Sequence, residues 1–451
     1  MLTIQGPSTR FCDGVSRRGF LRIGALGVGA GALTLADVMR LEAAGATTKA
    51  GPSRHKAVIM VYLGGGPPHQ DMWEIKTEAP KDIKGEFKPI DTSVTGVQIG
   101  ECFPRIAARM HNAAVIRSIV GMPDRHDGVM QLTGFPHDSL KPLGGRPSIG
   151  AAVSKLVGPV DPSVPPFVGL AARTQHVPWS DPGQTGFLGI AHAPFKPDGE
   201  GMSNLKLKGV GVEQLGDRKR MLASFDGLRK ELDTAGTMQA LDGMTEKALG
   251  VLTSSRLVEA LDLSKEPRRV RDRYGDGKPY QFQYDGAPTV NEQFLMARRL
   301  VEAGVRVVTL SYGRWDSHGK NFDLVRDHGA KLDQAFTALM DDLEVRGMSD
   351  DVTVIAWGEF GRTPRINPGA GRDHWPQVSC ALLAGGGMKL GKAIGSTDRT
   401  GGTANQRPVH VGEVVATLYH NLGIDASRAF LMDPTGRPQH LTDKAPMREL
   451  V

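Results

Sequence analysis

Short apolar runs rich in β-branched residues alternate with longer stretches of helical spacing from residue 56 onward. The apolar runs predict strands at 57–63, 113–118, 305–310, 352–357 and 378–383. The helical spacing predicts helices at 103–111, 291–303, 327–346 and 411–422. Each predicted strand is apolar at almost every position, which is typical of a strand covered by helices on both faces. The pattern predicts an α/β three-layer sandwich with a mostly parallel sheet.

Two regions interrupt this alternation. Residues 159–210 are rich in proline and glycine and show little periodicity, so we expect a long surface excursion over the sheet. Residues 212–275 have helical spacing and could form a cap, a dimer contact or, as we favour, ordinary core-packing helices. We therefore predict one domain over residues 56–451 with a loop-rich and helical insertion at about 159–288.

The pattern of the first 46 residues predicts an export signal of the twin-arginine type. Ser16-Arg17-Arg18-Gly19-Phe20-Leu21-Arg22 is followed by an apolar, glycine-rich stretch at 23–35 and by Ala44-Gly45-Ala46. The apolar stretch is shorter than the roughly 20 residues that a membrane-spanning helix needs. We expect cleavage after Ala46, a periplasmic or secreted location and no stable membrane span.

Composition and charge exclude several other classes. The chain has 451 residues, of which 40% are hydrophobic, so its main state is folded. Its formal net charge of +6 is not concentrated in basic runs with interleaved aromatics, so we expect no nucleic-acid partner. Only three cysteines occur, Cys12, Cys102 and Cys380, which excludes a disulfide framework. The sequence does not fix the oligomeric state.

Acidic residues and histidines recur directly after the predicted strands. In open α/β sheets this edge carries the loops that bind ligands. Carboxylates combined with imidazoles suit Zn, Mn or Fe better than Mg or Ca, so we expect a divalent metal of that group. Each residue alone could equally be a helix cap or a turn residue. The candidate metal ligands are His69, Asp71, Asp316, His318, Glu359, Asp373 and His374.

Other catalytic templates fail. Residues 386–392 read GxxxxGK, but Ala393 replaces the hydroxyl residue that would hold magnesium in a P-loop. The chain has no GxSxG elbow of a serine hydrolase. It also lacks a GxGxxG fingerprint after any predicted strand of the mature chain.

Four motifs resemble a known family. They are Leu63-Gly64-Gly65-Gly66-Pro67-Pro68-His69-Gln70-Asp71, Trp315-Asp316-Ser317-His318, Trp357-Gly358-Glu359-Phe360-Gly361-Arg362-Thr363-Pro364 and Gly371-Arg372-Asp373-His374-Trp375-Pro376. With the twin-arginine start they are similar to exported bacterial proteins of domain-of-unknown-function family 1501, within the alkaline phosphatase and sulfatase superfamily. The resemblance covers nearly the whole chain. It implies an alkaline phosphatase-like fold, with Asp316, His318, Glu359 and His374 at positions of the superfamily's metal ligands.

The resemblance also has departures that bear on mechanism. Phe360 stands where the superfamily has a histidine ligand, and no hydroxyl or thiol occupies the expected nucleophile position near Arg125-His126-Asp127. The resemblance implies a metal-dependent hydrolase of a phosphate or sulfate ester that uses metal-activated water or an unidentified nucleophile. His126 or Asp127 would act as base, and Arg125, Arg314 or Arg362 would hold the anion.

Two other functions stay open. The protein could be a non-catalytic metal-binding or cell-envelope module that keeps the fold, which Phe360 and the missing nucleophile favour. The substrate could also be a glycan sulfate ester, which only the superfamily analogy and the export signal favour. In either enzymatic case the expected partner is an anionic small-molecule or glycan ester.

Overall fold

The structure is a computed structural model that describes residues 55–171, 174–180, 183–197, 254–275 and 286–451. These residues belong to one compact unit, Arg54–Val451. The predicted signal segment, the cleavage site and most of the predicted insertion lie outside the described residues. Within the described ranges, no helix combines the length and apolarity needed to cross a membrane.

Eight strands form the central sheet. They are β1 Ala57–Tyr62, β2 Ala113–Val120, β3 Phe167–Gly169, β4 Val307–Ser311, β5 Val352–Trp357, β6 Ser379–Gly385, β7 Lys392–Ile394 and β8 Val409–His410. Their order is β7-β2-β6-β5-β1-β4-β3, and β8 also pairs with β2. Among these strands only β6 runs antiparallel to its neighbours. The predicted mostly parallel sheet is confirmed.

Helices cover both faces of the sheet. Alternate side chains of β1 enter two separate cores, Ile59 and Val61 on one face and Val58 and Met60 on the other. The first core is covered by α1 His69–Met72, α3 Pro104–Ala108, α6 Ser255–Leu261, α7 Arg268–Tyr274, α8 Glu292–Ala303, α9 Asn321–Leu324 and α10 Ala330–Val345. The second core is covered by α4 Val129–Thr133, α5 Ile149–Leu156 and α11 Val411–Asn421. The three-layer sandwich is therefore confirmed.

Smaller elements lie outside these layers. Helix α2, Lys81–Lys84, buries none of its residues. Two-stranded ribbons pair Pro89–Asp91 with Gln98–Gly100, Gly361–Arg362 with His374–Trp375, Ser396–Thr397 with Ala404–Gln406 and Phe430–Met432 with Pro438–His440.

The structure differs from the sequence prediction in its short elements. The edge strand β3 lies inside the region predicted as a surface excursion, and β7 and β8 were not predicted. Each has two or three residues, too few to show a period. A wide helical turn, Val325–Gly329, separates α9 from α10, so the predicted helix at 327–346 begins later. Helices α6 and α7 pack against α8 and α10, as the core-packing alternative predicts for that described part.

The sheet topology determines where the candidate site lies. Strands β1, β4 and β5 are parallel neighbours, so their carboxyl ends meet at one edge of the sheet. The segments that follow them carry Gly65, Asp316 and Glu359. Residues far apart in the sequence are thereby brought together at this edge.

Candidate metal centre

The glycine-rich turn after β1 fits closely against two acidic residues. Gly65 has a φ of +101°, and a Cβ atom there would lie 2.2 Å from the backbone nitrogen of Asp316. The Gly65 N–H donates a hydrogen bond of 2.7 Å to Oε1 of Glu359. The turn thus touches both acids, and only glycine fits this approach without strain.

Asp316 lies at the centre of a group of histidines. Its Oδ1 atom is 3.0 Å from Nε2 of His318 and 3.2 Å from Nε2 of His374. Its Oδ2 atom is 3.9 Å from Nε2 of His126. The two nitrogens His318 Nε2 and His374 Nε2 are 3.0 Å apart. Potential ligand atoms of His126, Asp316 and His374 all lie within 4.8 Å of one another.

Each of these three histidines holds a carboxylate with its other ring nitrogen. Nδ1 of His126 is 3.1 Å from Glu359 Oε1, Nδ1 of His318 is 2.6 Å from Asp373 Oδ1, and Nδ1 of His374 is 2.9 Å from Asp124 Oδ1. Each carboxylate accepts a hydrogen bond from an Nδ1–H group, so Nε2 of the neutral ring carries the lone pair. This is the arrangement that orients histidine ligands in metal sites.

The convergence of the Nε2 atoms requires positive charge between them. Three neutral imidazoles in this tautomer point lone pairs toward Asp316, and two of those lone pairs face each other across 3.0 Å. Such an arrangement is repulsive unless a cation or added protons lie between the nitrogens.

The electrostatics of the group agree with this conclusion. Burial would raise the pKa of Asp316, but the hydrogen bond with His374 and the charge of Arg362 hold it well below its ordinary value. Burial would lower the pKa of His374, but the hydrogen bond and charge of Asp316 raise it above the ordinary value. The acids thus favour positive charge at the point where the imidazoles meet.

Glu359 is completely buried and contacts His126 rather than the Nε2 atoms. Its Oε1 atom accepts hydrogen bonds from the Gly65 N–H, Trp179 Nε1 and His126 Nδ1. Its Oε2 atom is buried and has no hydrogen-bond partner among the described residues. Burial, followed by the charge of Glu359, raises the pKa of Tyr62. Oε1 of Glu359 lies 3.1 Å from Nδ1 of His126, and the ligand role of Glu359 stays a prediction.

Other predicted residues have different partners. The buried His69 ring is 2.8 Å from the carbonyl oxygen of Gly401, and burial lowers its pKa to about 4. Asp71 is buried against Arg372 and Asn321. His69 and Asp71 lie in the short helix α1 that follows the glycine turn, and their ligand roles stay predictions.

The three predicted anion-binding arginines also differ in their surroundings. Arg362 is completely buried and donates from all three guanidinium nitrogens to protein oxygens, including Asp316 Oδ1, which differs from its predicted role in holding substrate. Arg314 donates to Asp316 Oδ2 at 3.2 Å. Arg125 is half exposed and binds Asp127, which also contacts His137.

Sequence reasoning missed several residues at this site. Asp124 was not singled out although it lies two residues before His126. Trp179 and His176 belong to the region predicted as a surface excursion, yet Trp179 contacts Glu359, and the His176 ring lies 5.2 Å from that of His126. The clustering of Asp124 with Arg125, His126 and Asp127 after β2 is the one sequence signal that could have indicated Asp124.

Comparison with known proteins places the chain in a family. Similar solved structures include the PsFucS1 sulfatase from Pseudoalteromonas sp., with 13% identity, 87% of this chain and 72% of that chain covered, and a TM-score of 0.34. A sulfatase from Bacteroides thetaiotaomicron, BT33494S-sulf, has 11% identity, coverage of 83% and 74%, and a TM-score of 0.36. A TAB5 alkaline phosphatase variant with bound Mg has 9% identity, coverage of 82% and 98%, and a TM-score of 0.32.

These TM-scores are too low to support a conclusion about activity. Among curated proteins, none matches the chain. A family model does match, over residues 55–451, and this range contains every candidate site residue. The chain belongs to the family described as Protein of unknown function (DUF1501).

Proposed function

We propose that the protein is an exported metal-dependent hydrolase of a phosphate or sulfate ester. The observation that supports the proposal best is the convergence of three imidazole Nε2 atoms on Asp316, each imidazole oriented by a carboxylate at Nδ1. Neutral imidazoles with one carboxylate are a donor set that suits Zn, Mn or Fe.

The spacing of the donor atoms fits a single cation. Ligand atoms about 2.0–2.1 Å from a tetrahedral ion lie roughly 3.3 Å from one another. The triangle of Asp316 Oδ1, His318 Nε2 and His374 Nε2 has edges of 3.0, 3.0 and 3.2 Å. His126 Nε2, 3.9 Å from Asp316 Oδ2, forms a second group with Asp316 and His374 whose potential ligand atoms lie within 4.8 Å of one another. We therefore assign His126 as a proposed ligand rather than a base.

A divalent cation held there would polarise an ester oxygen and lower the pKa of a water molecule. The chain's own residues would position an anionic ester beside it. Arg314 lies next to Asp316, and the half-exposed Arg125 lies one residue from His126. The guanidinium of Arg314, which contacts Asp316 Oδ2, favours an anionic substrate, either a small molecule or a glycan ester.

A second candidate function is a binding module without catalytic activity. The buried ring of Phe360 lies 4.5 Å from the ring of His374 and 5.3 Å from that of His126, where it adds no donor atom. The buried guanidinium of Arg362 contacts Asp316 Oδ1 and already neutralises part of its charge. Both features reduce the number of cations that the site could hold.

The test compares hydrolysis of 4-nitrophenyl phosphate and 4-nitrophenyl sulfate by the purified full-length chain before and after chelation. We expect turnover that chelation abolishes and that Zn²⁺, Mn²⁺ or Fe²⁺ restores. His374→Ala should lose this turnover, whereas His420→Ala, a change at an exposed position near the end of α11, should keep it. A chain that binds metal but hydrolyses neither ester would favour the binding module.

A further inference from the structure

A buried ion pair lies beside the two loops that meet at the candidate metal centre, the loop that carries Asp316 and His318 and the loop that carries Asp373 and His374. Asp71, 1% exposed, binds the completely buried Arg372 through two parallel contacts, Nε to Oδ2 at 2.6 Å and Nη2 to Oδ1 at 2.9 Å. Arg372 directly precedes Asp373 and His374 in the sequence. The bidentate contact therefore restricts the loop that carries these two residues.

The same carboxylate also reaches the other loop. Nδ2 of the buried Asn321 donates to Asp71 Oδ2 at 2.7 Å, and its Oδ1 accepts the hydroxyl of Ser317 at 2.7 Å. Ser317 lies between Asp316 and His318, and its carbonyl oxygen accepts the Arg372 N–H at 2.8 Å. Asp71 thus connects the two loops through side chains, beside the direct backbone hydrogen bond between Arg372 and Ser317.

We propose that Asp71 is a positioning residue that fixes the spacing of Asp316, His318 and His374. This inference rests on the proposed cation site. Two of the donors, Asp316 and His318, lie in one loop, and the third, His374, comes 56 positions after His318. Their separations of about 3 Å must be maintained by contacts other than those of the donors, because lone pairs that face each other repel. The Asp71 network supplies such contacts.

A matched ion pair elsewhere in the chain provides the control. Asp342 is 2% exposed and binds the buried Arg298 at 3.0 Å and the Tyr274 hydroxyl at 3.0 Å. It lies in α10 among the helices that cover the first core, and it contacts neither ligand loop in any described hydrogen bond or ion pair. Asp71→Asn and Asp342→Asn each remove one buried carboxylate from a buried arginine, and Arg298 retains its contacts with Glu266 and Glu302.

The experiment measures the dissociation constant of Co²⁺ for the purified full-length chain by titration of its visible absorption. We expect Asp71→Asn to weaken binding about 10-fold, as loss of an outer contact does in metal sites. Asn321→Ala, which breaks the link to Ser317 and leaves the ion pair intact, should weaken binding in the same direction. Asp342→Asn should leave the dissociation constant unchanged.

The outcomes separate the inference from the proposed function. Absence of Co²⁺ binding by the unaltered chain would overturn both. Normal binding by the unaltered chain, Asp71→Asn and Asn321→Ala would overturn the positioning role alone. An equal loss in Asp342→Asn would also overturn it, because general destabilisation would then explain the effect. If Asp71→Asn does not fold, as judged by circular dichroism, Asn321→Ala decides.

Discussion

Gly65 lies in the glycine-rich turn after β1, where its backbone contacts the candidate metal centre. Its replacement by alanine tests how closely this turn packs against Asp316. The alanine Cβ would lie 2.2 Å from the Asp316 nitrogen and 2.7 Å from its Cβ. At a φ of +101°, a non-glycine residue costs about 1–2 kcal/mol. Overpacking against a buried backbone adds about 1–3 kcal/mol. Gly65→Ala should therefore lower the free energy of unfolding by about 2–5 kcal/mol.

A second glycine separates these two contributions. Gly96 has a φ of +80°, and a Cβ atom there would meet nothing within 4 Å. Gly96→Ala should show only the backbone cost of about 1–2 kcal/mol. Urea unfolding followed by circular dichroism gives both free energies, and Co²⁺ titration shows whether displacement of Asp316 also weakens binding. Only Gly65→Ala should weaken it.

Comparison of the two glycine variants can refute the close packing of Gly65 against Asp316. Equal losses of stability in Gly65→Ala and Gly96→Ala, with equal Co²⁺ affinity, would show that the glycine-rich turn after β1 does not approach Asp316 as the structure describes. A loss in Gly65→Ala that exceeds the loss in Gly96→Ala by about 1 kcal/mol or more would support the described approach.

Three further predictions concern charge. Glu359→Gln should weaken Co²⁺ binding about 10- to 100-fold because His126 loses its orienting carboxylate. The surface control Glu344→Gln should leave the affinity unchanged. Equal Co²⁺ affinities of the two variants in titration would contradict this prediction. Burial raises the pKa of Asp333 to about 6, so its folded state favours the protonated form. As the pH rises from about 4 to about 6, the unaltered chain should lose about 1–3 kcal/mol of stability relative to Asp333→Asn, and parallel urea profiles would contradict this. Protons compete with metal for the histidines, so dialysis at pH 5 should remove metal that is retained at pH 8. Equal metal content at both values would refute histidine ligation.

The sequence predicts the elements that are long and periodic. Strands β1, β2, β4, β5 and β6 and the helices α8, α10 and α11 lie where the apolar pattern places them. The short strands at the sheet edges were missed because two or three residues cannot show a period. Their pairing depends on neighbours more than 100 residues away, as with Phe167 and Val307.

The sequence predicts which residues meet at the candidate site better than it predicts what each of them contacts there. Acids and histidines after parallel strands had to meet at one edge, and Asp316, His318, His374, Asp373 and Glu359 do lie there. Which atom faces which partner depends on loop conformation. The 301-residue separation of Asp71 from Arg372, and the pairing of each Nδ1 with its own carboxylate, leave no signal in the local pattern.

The most direct test of the account is elemental analysis of the purified full-length chain together with its Asp316→Ala/His318→Ala double variant. The account predicts a stoichiometric content of Zn, Mn or Fe in the unaltered chain and none in the variant. A chain that contains no metal and takes up none of these ions on titration would contradict the account.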